Sequence, residues 1–190
     1  MMNLQRCVRA GALLWVVLFA AGLAAAEEAK PSAAAAEALR LLESEDLYQR
    51  QTGFLRLEAL REPATLPAIR GYLSHRDPEV RAYSLRAIAA IGGVASIPTL
   101  LEALRSDKHE RVRRSAILGL EPFAVSDPAV LPAFLSALKD RSPQVRMSAV
   151  DVVSRINDPR AREAIRQRRR RERNGDVRRV LKAAVARSGA

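Results

Sequence analysis

The sequence predicts an all-α protein, a right-handed α-solenoid of about five helix pairs that follows an N-terminal signal peptide. Three observations lead to this prediction. A segment recurs every 32 or 33 residues, its apolar positions have helical spacing, and prolines stand at regular places between the copies. The chain of 190 residues is long enough for one such array and for little else.

Residues 1–26 have the three parts of a secretory signal peptide. Arg6 and Arg9 precede an apolar stretch at 11–23, and the small residues 24–26 allow cleavage before Glu27. An uncleaved membrane anchor is the alternative, because the apolar run is only slightly shorter than a membrane span. Both interpretations place the remaining chain outside the cytoplasm, in a bacterial periplasm or cell envelope. The only cysteine, Cys7, lies in this segment, so no disulfide framework is expected.

The rest of the chain contains the repeats. Residues 27–36 are a short Ala-rich linker or the start of the first helix, and the array occupies residues 37–190. Each copy begins with Val-Arg. When this valine is counted as position i, apolar or small residues follow at i+3, i+4, i+7 and i+8, which is one face of a helix. These inner helices are predicted near 46–61, 77–91, 109–121, 143–156 and 175–187. The first is the least regular, since Tyr48-Gln49 stands where Val-Arg is expected.

A second pattern between these segments predicts the outer helices. Pro67, Pro98 and Pro132 lie near their starts, where a helix has no partner for a backbone N–H. The connections to the inner helices are short and contain Asp, Ser and Asn, which are good helix N-caps. Each repeat is therefore expected to be an outer helix, a short loop and an inner helix.

This pattern resembles the HEAT-repeat family, in the short bacterial form called PBS-lyase-like HEAT repeats. The stretches Asp77 to Gly92 and Ile97 to Leu104, with their later copies, carry the resemblance, which covers about Ser32 to Arg187. It implies the α-solenoid architecture and says almost nothing about function.

The last copy, residues 160–190, departs from the pattern and is predicted to be a terminal cap. Arg162, Glu163 and Arg169 replace apolar or proline positions of the outer helix, and Lys182 replaces an apolar residue of the inner helix. Stacked repeats need such a polar outer face at their ends. The cap therefore accounts for its arginines without any binding role.

The positive charge is concentrated in this cap. The chain has 32 basic and 21 acidic residues and a net charge of +11. Two of these charges lie in the signal segment and nine in residues 160–190, so residues 27–159 are neutral. Attraction to an anionic membrane or envelope polymer is the functional alternative to the cap. The candidate anion-binding residues are Arg168, Arg169, Arg170, Arg171 and Arg173.

The sequence contains no recognisable catalytic constellation. His75 and His109 are the only histidines, and the single His109-Glu110 pair cannot hold the two irons of HEAT-repeat oxygenases related to deoxyhypusine hydroxylase. Bilin lyases share the family name, but the export signal argues against that chemistry. We expect no enzyme activity, no cofactor and no metal, with a degenerate lyase or hydroxylase as the alternative. Nucleic acid is not expected either, because the aromatic residues mostly lie on apolar helix faces.

The arginine of each Val-Arg pair has two interpretations. It can pair with a loop acid to form a structural ladder along the stack, or it can join Arg86, Arg114 and Arg179 in an anion-binding stripe. The neutral body favours the ladder. Its predicted members are Arg81, Arg113, Arg146, Arg178, Asp77, Asp107, Asp140 and Asp176.

The predicted function is a non-catalytic scaffold that binds a protein partner along the concave face of its inner helices. Positions i+2 and i+6 of each inner helix should be exposed there. Leu118 and Met147 are apolar at such positions and are the expected hot spots. The full set is Ala82, Arg86, Arg114, Leu118, Met147, Asp151 and Arg179. The partner's identity and the oligomeric state do not follow from the sequence.

Overall fold

The structure, a computed structural model, describes residues 30–188, and the predicted signal peptide lies outside them. The described residues are helical and contain no strand, which confirms the predicted five helix pairs. The outer helices are α1 (Ala33–Leu42), α3 (Leu66–Gly71), α5 (Ile97–Ser106), α7 (Val130–Ala137) and α9 (Pro159–Arg171). The inner helices are α2 (Leu47–Leu60), α4 (Pro78–Gly92), α6 (Glu110–Leu120), α8 (Pro143–Val153) and α10 (Gly175–Ser188).

Every inner helix begins after a side chain that caps it. The cap accepts a hydrogen bond from the backbone N–H two residues further on, as in Asp77 Oδ1, which lies 2.8 Å from Glu79 N. A histidine, His109, caps α6 where the sequence predicts Asp or Ser. The five caps are Asp46, Asp77, His109, Ser142 and Asn174.

The inner helix α4 is buried on two sides. In α4, Val80 and Ile88 pack with the first two repeats, whereas Ala82 and Leu85 pack with the third. The second of these two clusters continues from α4 to Ala184 in α10, so each inner helix holds its neighbours together. Ala82 is only 4% exposed, which contradicts the prediction that it lies on the binding surface.

Residues Pro78–Ser106 are long and apolar enough to resemble a membrane span, but they do not form one straight helix. The chain turns at Gly93, whose φ of 52° is left-handed, and a short 3₁₀ helix at Gly93–Ser96 leads into α5. Apolar residues of both halves, such as Leu85 and Leu100, are fully buried in the array. The core therefore accounts for part of the hydrophobicity of this segment.

The first helix pair depends on one close approach. Gly53 of α2 lies against α1, where a Cβ atom would come within 2.7 Å of Leu42 Cδ2 and 2.8 Å of the Ala38 carbonyl oxygen. Because the carbonyl belongs to the helix backbone, the clash cannot be relieved by a side-chain rotation. Glycine is thus required here by packing, despite its poor helix propensity.

We expect Gly53→Ala to lower the free energy of unfolding by about 2 kcal/mol, since α1 and α2 must separate to admit the methyl group. Gly71, at the end of α3, provides a matched control, because a Cβ atom there would meet nothing within 4 Å. Gly71→Ala should be neutral or stabilising by about 0.5 kcal/mol. Chemical denaturation of the two variants measures both effects, and equal losses would contradict the packing argument.

Candidate binding surfaces

An arginine at the same position of successive inner helices links each repeat to the next. Nε and Nη2 of Arg113 donate to the two carboxylate oxygens of Asp140, at 2.8 and 2.7 Å. The third nitrogen, Nη1, donates to the backbone carbonyls of Asp107 and Lys108 in the preceding loop, at 2.9 and 3.1 Å. One guanidinium therefore joins two successive loops, and its forked geometry fixes their relative position.

The same arrangement occurs twice more. Arg81 binds Asp107 through Nε and Nη2 at 2.9 and 3.0 Å, and Arg146 binds both oxygens of Glu172 at 2.9 Å. All three arginines are buried, and each lies four residues after the N-cap of its helix. The predicted ladder is therefore present for Arg81, Arg113 and Arg146.

The carboxylates of the ladder all have the same position relative to the next inner helix. Each lies two residues before the N-cap of the next inner helix and accepts the backbone N–H of that cap. Glu172, for example, receives the N–H of Asn174 at 2.8 Å. The carboxylate thus orders the start of the next helix and binds the arginine of the previous one.

The prediction was wrong for two of the four acids. Asp77 caps α4 and acts on Arg81 only at longer range, and Asp176 pairs with Arg179 at 2.8 Å instead of with Arg178. Asp77 is itself the N-cap of α4, and Asp176 lies two residues after the N-cap Asn174. From these positions the two carboxylates cannot reach the arginine of the preceding repeat. Glu172 was missed, although its offset from Asn174 matches that of Asp107 from His109 and would have identified it.

The first repeat also has its arginine, which the sequence pattern concealed. Arg50 lies four residues after the cap Asp46, and its Nε donates to the Leu42 carbonyl at 3.2 Å. Its Nη1 lies 3.4 Å from Nε2 of His75, which takes the position that carboxylates have in the later repeats. Arg50, and not Gln49, therefore corresponds to the arginine of the later Val-Arg pairs, and the match of Tyr48-Gln49 to Val-Arg was wrong by one residue.

The ladder changes the acidity of its members. Burial would raise the pKa of Asp107, but hydrogen bonds from Arg81 and from the His109 backbone outweigh it and hold the pKa below its usual range. The pKa of Asp140 is lowered in the same way. For Glu172 the hydrogen bonds from Arg146, Asn174 and Arg168 lower the pKa to about 2 against the effect of burial. These carboxylates are ionised at neutral pH, so the pairs are fully charged.

A small groove lies on the face formed by the inner helices. It has a volume of about 230 Å³ and is lined by side chains of α2, α4, α6 and the turn after α6. Leu118 stands beside it with 53% of its surface exposed, as the sequence predicts. The lining residues are Glu58, Arg86, Ala89, Ala90, Leu118, Gly119, Pro122 and Phe123.

Glu58 gives this groove its polarity. One of its carboxylate oxygens, Oε2, accepts a hydrogen bond from Arg86 at 3.1 Å. The other, Oε1, is buried and has no hydrogen-bond partner among residues 30–188. Burial raises the pKa of Glu58 in spite of Arg86. The lack of a hydrogen bond at this buried oxygen is unfavourable by about 1–3 kcal/mol.

The other predicted contact residues are less uniform. Arg86, Arg114 and Arg179 are exposed, but Met147 is partly buried against the core and Asp151 is only partly exposed. Asp151 is also engaged by Arg155 at 3.1 Å. Of the two expected hot spots, only Leu118 is presented to solvent.

One of the candidate anion-binding arginines, Arg168, is not free to bind an external anion. Arg168 donates to Glu172 at 2.6 Å and helps to hold the last carboxylate of the ladder, so it is a structural residue. Arg170, Arg171 and Arg173 are exposed, and their side chains form no ion pair within the described residues. Arg169 lines a recess of about 380 Å³ together with Gly175, Arg178, Arg179 and Lys182.

Residues 30–188 contain no cluster of three or more His, Cys, Asp or Glu side chains that could hold a metal ion. His75 and His109 accept hydrogen bonds from the backbone N–H groups of Asp77 and Arg111. Both histidines therefore have structural positions at helix starts.

The helix pairs and the arginine ladder define a helical repeat protein of the α-solenoid class. The family model for HEAT repeats matches residues 21–121 and 97–186, and the chain belongs to this family. No curated protein is similar enough in sequence to count as a relative.

Two solved structures show the same fold. The complex of CpcE and CpcF of the phycocyanin lyase from Nostoc sp. PCC7120 contains a chain with a TM-score of 0.63 and 23% identity, covering 80% of this chain and 98% of that one. A computationally designed armadillo repeat protein for modular peptide recognition has a TM-score of 0.51 and 15% identity, covering 79% of this chain and 80% of that one. At these identities the likeness concerns the fold alone.

The ladder makes a testable prediction at Glu172. Glu172→Gln leaves the buried guanidinium of Arg146 without its counter-charge and should lower the free energy of unfolding by about 3 kcal/mol at pH 7. Asp176→Asn removes an exposed pair and is the control, with an expected change below about 0.5 kcal/mol.

The contribution of Glu172 to the free energy of unfolding should also depend on pH. Its folded-state pKa of about 2 lies below the ordinary 4.5, so its stabilisation is complete above pH 4.5 and is lost as the pH falls towards 2. The difference in free energy of unfolding between the wild type and Glu172→Gln, measured by urea unfolding, should therefore become smaller in acid. A constant difference from pH 7 down to pH 3 would contradict this account.

Proposed function

We propose that this protein is an exported, non-catalytic scaffold that binds a protein partner through the groove on its inner-helix face. One observation carries the proposal: an exposed leucine, Leu118, stands beside a groove in which Glu58 has a buried, unpartnered oxygen. A partner segment that places an apolar side chain against Leu118 would complement this surface.

The groove has room for about one side chain of a partner segment. Its 230 Å³ is below the range typical of small-molecule sites, and it opens along a face made by successive helices. The designed armadillo protein with the same kind of fold recognises peptides, which supports an extended protein segment as the occupant here. Binding would remove the exposed side chain of Leu118 from water.

The test is to place a photo-crosslinking amino acid at position 118 in the protein within its own cells. We expect one defined crosslinked protein from position 118. Val125 is 88% exposed but lies in the loop that follows α6 and its turn, so the same amino acid at position 125 should give no such product. Identical products from both positions, or none from position 118, would exclude the groove as the binding surface.

A lyase-type activity is the competing function, because the CpcE and CpcF complex has a similar fold. It predicts that the purified protein takes up a bilin pigment and acquires visible absorbance. The scaffold proposal predicts no such change when the protein is incubated with phycocyanobilin.

Export is the second part of the proposal and rests on residues 1–26. A positive segment, an apolar run and small residues before Glu27 are typical of a cleaved signal. We therefore expect the protein from the cell envelope fraction to begin at Glu27, as measured by mass spectrometry of the intact chain. A full-length chain in the membrane fraction would instead support the anchor.

A further inference from the structure

The arginine ladder has an open end. Arg178 lies four residues after the cap Asn174, the same position that Arg81, Arg113 and Arg146 occupy in their helices. Those three arginines each bind a carboxylate from the following loop. Arg178 is exposed, and within residues 30–188 its side chain forms no hydrogen bond or ion pair. Among residues 30–188 no carboxylate takes the place next to Arg178 that Asp107, Asp140 and Glu172 take next to the earlier arginines.

Arg178 does not face solvent as an isolated charge. It lines the recess of about 380 Å³ with Arg169, Arg179, Lys182 and Gly175, so four cations and no acid surround this space. Arg179 has a partner in Asp176, but both side chains of that pair are largely exposed, and such pairs are weak. The recess therefore holds an excess of positive charge that favours an anionic occupant.

The occupant cannot be another apolar repeat. Lys182 lies eight residues after its N-cap, where Leu85, Ile117 and Val150 of the other inner helices are buried against the next repeat. A further apolar helix on this end would have to bury Lys182 without a partner, which is strongly unfavourable. An occupant must bring negative charge opposite Lys182 as well as opposite Arg178.

We propose that this recess is a carboxylate-binding site that takes an acidic segment of a partner protein. One carboxylate would bind Arg178 as Asp107, Asp140 and Glu172 bind the earlier arginines, and neighbouring acids would face Arg179 and Lys182. The site is at the end of the array, apart from the groove beside Leu118, so either can exist without the other.

The geometry favours a protein carboxylate over the phosphates of a membrane. A flat anionic surface would be met equally by the exposed Arg170 and Arg171, which lie outside the recess. Binding of a protein carboxylate should therefore depend on Arg178 in the recess, whereas binding of a membrane should depend equally on Arg170 and Arg171.

The experiment measures fluorescence anisotropy of a labelled peptide of ten glutamates with the purified protein, and an oligo-glutamine peptide gives the baseline. Arg178→Gln with Arg179→Gln should weaken binding by about tenfold or more, the effect of losing a charged forked contact. Arg170→Gln with Arg171→Gln removes the same charge outside the recess and should weaken binding by less than about threefold. Arg178→Lys keeps the charge but loses the fork, and we expect an intermediate loss.

These variants should fold normally, because the four arginines are exposed, and an unchanged melting temperature verifies this. Equal losses from the two double variants would overturn the proposal, since they would show diffuse attraction to the basic end. The proposal would also be overturned if phosphatidylglycerol vesicles bound through Arg178 and Arg179 while the glutamate peptide did not bind. Crosslinking at Leu118 is independent of both results, so a failure here leaves the groove untouched.

Discussion

The guanidinium fork between successive loops is the interaction on which the array depends. Apolar contacts between neighbouring helices bring the repeats together, but they are not directional and would tolerate a range of shifts. An arginine such as Arg113 has its donors divided between the loop before its helix and the carboxylate Asp140 after it. Its buried charge is tolerated because every contact is made, and each contact is lost if one repeat slides along the next.

The fold could be predicted from the sequence because its determinants are local and repeated. Apolar spacing and the recurrence of Val-Arg identify the inner helices, and prolines such as Pro98 identify the start of the outer ones. The partners of the ladder were harder to assign, since an acid's role depends on its offset from the N-cap. The offset of Asp107 becomes visible only when His109, an uncommon cap, is recognised as the residue that begins α6.

The binding surface was predicted in part, for a geometric reason. Position i+6 gave the exposed Leu118, but position i+2 faces the following repeat as much as it faces solvent. The short Ala82 is buried there, whereas the longer Arg114 extends outward and contacts Ser148 of the next helix at 3.3 Å. The unpartnered oxygen of Glu58 could not be foreseen, because it arises where side chains of three helices meet.

The distribution of charge follows from the ladder. Within the body, Arg81 and Arg113 are each matched by an acid of the following loop, which contributes to the neutrality of residues 27–159. Arg146 and Arg168 share Glu172, whereas residues 30–188 contain no acid in the corresponding place next to Arg178. The basic end therefore includes an arginine at the ladder position, Arg178, which has no carboxylate partner among residues 30–188 and lies beside further cations.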